Sequence, residues 1–171
     1  MPSVRISAAD LWTYRIAETG GTEREPLSRL GEEPNGGHVH GRLRIEIAGR
    51  PLPHLGFFGP DDVCLNTWLV ELCSVVNTLA GMGATYTFDE GEQGQPAFKF
   101  VRIGDDVSFS IIESMLGGGH ADADWQDVRL PYQDLREAVD VFLDELRAEL
   151  RRQAPKTWER WWPAQARITT I

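Results

Sequence analysis

Ala84-Thr-Tyr-Thr-Phe-Asp89, Pro96-Ala-Phe-Lys-Phe-Val-Arg-Ile103 and Val107-Ser-Phe-Ser-Ile-Ile-Glu113 follow one another in the second half of the chain. Each segment alternates. Tyr86 and Phe88 oppose Thr85 and Thr87; Phe98 and Phe100 oppose Lys99; Val107, Phe109 and Ile111 oppose Ser108 and Ser110. A period of two means a strand with one apolar face. The segments are joined by Glu90-Gly-Glu-Gln-Gly-Gln95 and Gly104-Asp-Asp106, turns rich in Gly and acid. Short connections make the strands antiparallel.

A helical pattern lies on each side of this meander. Before it, Leu65, Trp68, Leu69, Leu72, Cys73, Val76 and Leu79 form one apolar stripe. Asp61-Asp62 would cap that helix at its N-terminus, and Gly81 would stop it. After it, Leu135, Ala138, Val139, Phe142, Leu143, Leu146 and Leu150 form a second stripe from about Tyr132 to Gln153, with Asp134, Glu137, Asp144 and Arg151 on the solvated face.

Further out, Arg42-Leu-Arg-Ile-Glu-Ile-Ala48 alternates cleanly, with Leu43, Ile45 and Ile47 inward. Within residues 3–18, Trp12, Tyr14 and Ile16 are the expected inward set of a first strand. Leu55-Gly-Phe-Phe58 is a candidate edge strand, and residues 19–41 read as a long loop. The expected fold is α+β: an antiparallel meander of five to six strands with two main helices on one face. Residues 1–155 form one domain in this reading, and 156–171 a Trp- and Arg-rich tail.

The chain has 171 residues, 26 acidic and 17 basic, for a net charge of −9. The charge is uneven. Residues 61–150 hold eighteen acidic and five basic side chains, whereas 151–171 hold one and five. An anionic body repels phosphate, so nucleic acid is not an expected partner. The N-terminus lacks a signal-like apolar region and no run is long enough to span a bilayer, which points to a cytoplasmic protein without a membrane partner. Cys64 and Cys73 on one helix would stand on opposite sides, about 13 Å apart along the axis, too far for a disulfide.

No nucleophile elbow, phosphate-binding loop or zinc-protease motif occurs, so no catalytic residue, metal site or cofactor is expected. A catalytic Cys64 would need a base, and none is local in sequence. His120-Ala-Asp-Ala-Asp124 starts like a calcium loop, but Asp127 and Gln133 stand where that loop needs Gly and Glu. His38 and His40 share one side of an extended segment; whether they meet His54 or His120 is left open by the sequence. Trp158, Trp161 and Trp162 share a helical side that either docks on the chain's own core or faces a partner.

The layout resembles that of small acidic single-domain proteins of actinobacteria and, more loosely, of the immunity proteins that neutralise bacterial toxins. Phe98-Lys-Phe100 with Val107-Ser-Phe-Ser-Ile111, the acidic loop around Asp122 and Trp125, and the helix ending in Phe142-Leu143 carry the resemblance. It implies a non-enzymatic, acidic domain that binds a basic protein. The expected contact residues are Glu90, Glu92, Asp105, Asp106, Asp122, Asp124, Trp125, Trp158 and Trp161. The alternatives are a homodimer built through the tail, and a metal-dependent enzyme using the loop His and Asp residues.

Overall fold

A computed structural model of the chain describes residues 3–32 and 37–169. Strand β1 (Val4–Ile16) changes face part-way. Val4 and Ile6 are buried, but beyond the turn of the chain at Asp10 it is Leu11 and Thr13 that are buried. Asp10 has a positive φ of 53°, and the register with the neighbouring strand slips between Ala9 and Trp12. This β-bulge inserts an extra residue, and one extra residue sends every later side chain to the other face. It corrects the expectation for Trp12, Tyr14 and Ile16: the first two are only half-buried and Ile16 is exposed.

The expected loop over 19–41 is likewise corrected. It contains β2 (Thr22–Pro26), paired with the second half of β1, and a 3-10 turn at Leu27–Arg29. Arg15 of β1 binds Glu23 and Glu25 of β2 at 2.6 and 2.7 Å, and Leu27 and Leu30 are fully buried. A charged strand that pairs through its backbone has no apolar alternation to reveal it. Residues 33–36, within that stretch, lie outside the described residues.

β3 (His40–Ile47) pairs with β1 and buries Leu43, Ile45 and Ile47 as expected. β4 (Arg50–Pro51) and β5 (Val63–Cys64) flank it. Leu55-Gly-Phe-Phe58 is not a strand, and Phe57 and Phe58 are exposed. α1 (Leu65–Leu79) starts three residues later than its expected cap: Cys64 is the N-cap residue, and Asp62 turns to His40 instead.

The meander forms as read: β6 (Thr85–Phe88), β7 (Ala97–Ile103) and β8 (Asp106–Ile112), followed by β9 (Val128–Pro131). β6-β7-β8-β9 is one antiparallel sheet; β2-β1-β3-β4, with β5 against β3, is another. The fold is therefore α+β with antiparallel pairing and two main helices, its strands divided over two sheets. α1 packs against β3, β6 and β7, and α2 (Tyr132–Gln153) against β1 and β9, so the helices join both sheets into one core. Among the described residues, no helix is long and apolar enough to cross a membrane.

The tail returns to the same core. α3 (Trp158–Trp161) buries Trp161, and Ala166 is buried beyond it. Arg151 and Arg147 of α2 stack over Trp158 and Trp162 at 4.6 and 4.7 Å.

Candidate functional site

The nine expected contact residues do not make one surface. Glu90 and Glu92 lie between β6 and β7, at the end of the second sheet that also carries Asp122, whose N–H donates to Ile111. Asp105 and Asp106 occupy the β7–β8 turn at the opposite end, about 20 Å away for seven-residue strands. Trp125 is an interior residue at 4% exposure, edge-on to Phe109, with Arg50 stacked over it. Trp161 is interior at 7%, and Trp158 is half-buried under Arg151. Aromatic residues beside acids look the same in sequence whether the ring points in or out.

Glu90 is not the exposed turn acid that its Gly-rich surroundings suggest. It is half-buried in the wall of a cavity with Thr67 and Phe57. Burial, and then the charge of Glu92, push its carboxyl up to about 7. The folded state favours the neutral acid. That preference stabilises the fold fully below the ordinary value of 4.5 and is lost as pH rises through about 7. Glu90→Gln is expected to match the parent protein at about pH 4 and to be more stable by about 1–2 kcal/mol at about pH 8, the full shift being reduced by the water that reaches this group. Thermal melts of both proteins across that range check it; an equal difference at both ends would contradict it.

A second concave surface lies elsewhere. β2 covers β1 only from Trp12 to Ile16, so among the described residues no strand pairs with that edge of β1 over Val4–Ala9. The Ala48 N–H donates to the Ser3 carbonyl and the Leu52 N–H to the Ile45 carbonyl. Ser3 thus turns its carbonyl toward β3, whereas Ile45, opposite Ile6, turns away from β1. Alternation along the ladder directs the main-chain groups of Arg5 and Ser7 to β3, and those of Val4, Ile6 and Ala8 to the open edge.

Along this edge runs a groove of about 340 Å³, with Val4–Ser7 on one side and Asp134, Glu137, Ala138, Val141 and Glu145 of α2 on the other. Those five α2 residues recur at helical spacing, so they share one face. Ala138 and Val141 form an apolar floor, and Val141 is 47% exposed. Glu137 and Glu145 are exposed at its rim. Asp134 accepts from the Ser3 N–H and hydroxyl at 3.0 and 2.7 Å, which closes one end and holds its carboxyl below the usual range. Sequence reasoning missed this groove. The available signal was Val141, an apolar residue off the buried stripe of α2.

The structure brings two of the four histidines together. His38 and His40 stack at 6.4 Å between centroids and meet Cys64; His54 instead approaches Asp122 at 3.7 Å. The base that Cys64 lacks in local sequence is supplied across the β3–β5 pair. Burial opposes charge on both groups, but their mutual attraction, with Asp62 beyond, outweighs it. His40 is held above, and Cys64 below, its ordinary value. Cys73 is buried, and burial pushes its thiol up to about 11. No family model, curated protein or solved structure matches the chain.

Proposed function

We propose that this chain is a non-enzymatic, acidic protein-binding domain, of the immunity-like kind, that takes an extended basic segment of a partner along the open edge of β1. One observation carries the reading: main-chain groups of Val4 and Ile6, with Ala8 just beyond them, face an edge that no described strand pairs, and Val4 and Ile6 border a groove whose far wall is acidic. An exposed sheet edge recruits an extended peptide by main-chain hydrogen bonds, with side-chain pockets giving selectivity. Val141 and Ala138 offer the apolar pocket. Glu137 and Glu145 favour Lys or Arg on the incoming strand, and the surplus of acid over residues 61–150 steers it in. Two unbridged cysteines, Cys64 and Cys73, fit a cytoplasmic setting.

Selection from a random peptide display library tests the reading. The expected binders alternate apolar residues with Lys or Arg, and weaken as salt is raised. Reversing both rim charges (Glu137→Lys with Glu145→Lys) is expected to weaken them at least about tenfold, some 1.4 kcal/mol. Binders without basic character, or binders indifferent to the double reversal, would refute it.

A further inference from the structure

The pairing of β3 with β5 sets His40 directly opposite Cys64. His38 lies two residues earlier, on the same side of the extended chain. His38 Nδ1 is 3.6 Å from Cys64 Sγ, and the ligand atoms of His38, His40 and Cys64 all lie within 4.8 Å of one another. A tetrahedral metal with bonds of about 2.0–2.3 Å keeps neighbouring nitrogen and sulfur ligands about 3.5 Å apart. His38 and Cys64 already stand at that spacing, and His40 offers its ligand atom within 4.8 Å of both.

Their supports are equally specific. His40 Nδ1 lies 2.9 Å from Asp62 Oδ1, which leaves Nε2 for another partner. A carboxylate on the remote nitrogen fixes the tautomer and ring angle of a metal-binding histidine. The His38-Val39-His40 backbone is tied down on three sides. Thr13 Oγ1 donates to the His38 carbonyl at 2.8 Å, the Val39 N–H donates to Asn66 Oδ1 at 3.0 Å, and the Leu65 N–H donates to the Val39 carbonyl at 2.9 Å. Trp12 packs on the His40 ring at 4.6 Å between centroids. The bulge in β1 puts Trp12 there.

A fourth direction is open. A cavity of about 150 Å³ borders His40 and Cys64, with Phe57, Phe58, Glu90 and Glu92 in its wall. Glu92 there adds negative potential that favours a cation, and Glu90 joins it as pH rises through about 7. Thiolate with imidazole suits zinc, whereas magnesium and calcium want oxygen ligands.

We propose that His38 Nδ1, His40 Nε2 and Cys64 Sγ hold one Zn²⁺, with Asp62 positioning His40 and one coordination position left for an exchangeable ligand in the adjoining cavity. The site is distinct from the β1 groove and stands whether or not that groove binds a peptide. On binding, the Cys64 thiol releases its proton to solvent and the zinc–sulfur bond forms; no electron is transferred.

The full chain, stripped with EDTA, desalted and titrated with Zn²⁺ against a chromophoric chelator, tests this. One ion per chain, with a Kd of about 1 µM or tighter, is expected. Asp62→Asn should weaken binding about 10–100-fold. His38→Ala, at an exposed position, and the conservative Cys64→Ser should each weaken it at least as much, with circular dichroism unchanged. Zn²⁺ should also slow iodoacetamide alkylation of Cys64 at least about tenfold. Absence of stoichiometric binding to the parent chain, or Cys64→Ser binding as tightly as the parent, would overturn the assignment.

Discussion

Phe109→Ala is expected to destabilise the protein by about 3–5 kcal/mol, the largest loss for any single truncation in the second sheet. Phe109 has no exposed surface and sits mid-strand in β8, opposite Phe100 in the ladder. Its ring meets Phe100 at 5.0 Å, Trp125 at 5.9 Å and Phe98 at 6.2 Å between centroids, and Trp68 of α1 continues the cluster through Phe98. Removing the ring leaves a cavity walled by other rings, which cannot collapse inward without leaving their staggered positions. Lost transfer free energy and lost packing then add. Chemical denaturation gives the value directly; a loss under about 1 kcal/mol would mean that the cluster is not the centre of the core.

Trp161→Ala is expected to cost about 3 kcal/mol or more without changing the mass of the protein in solution. Trp161 is 7% exposed within its own chain, and no hydrogen bond to its indole nitrogen is lost in the change. Around it, Ala154 and Ala166 are buried, and Asn77 of α1 holds the following segment by accepting from the Thr169 N–H at 2.8 Å and donating to the Arg167 carbonyl at 2.9 Å. A tail that built a dimer would behave the other way: the mass would halve and the melting temperature of the monomer would barely move. Light scattering and a thermal melt on one sample separate the two.

What could be read from the chain follows the range of the forces concerned. β6, β7 and β8 are legible because their apolar alternation is uninterrupted and their turns are short, and the observed strands differ from the expected ones by a residue or so at each end. The two helices are legible from their stripes. The failures are all non-local. Nothing in Ala9-Asp10-Leu11 announces a bulge, because the extra residue is accommodated by Gly41 on the neighbouring strand: a Cβ there would stand 2.7 Å from Leu11 and 2.9 Å from the Ala9 carbonyl. β2 is charged and pairs through its backbone. Asp62 has the right type and place for a helix cap, yet His40 competes for it and wins. His40 and Cys64 are far apart in sequence and meet only because β3 and β5 pair. The groove depends on where β2 stops, at Pro26 opposite Trp12.

Amide hydrogen exchange along β1, free and with a basic peptide selected on the protein, tests the proposed docking mode most directly. In the free protein Arg5 and Ser7 should be protected by β3, while Val4, Ile6 and Ala8 exchange faster. Bound peptide should slow Val4, Ile6 and Ala8 at least about tenfold and leave Arg5 and Ser7 nearly as they were. Uniform protection in the free chain, or a bound peptide that leaves Val4, Ile6 and Ala8 unchanged, would contradict the account.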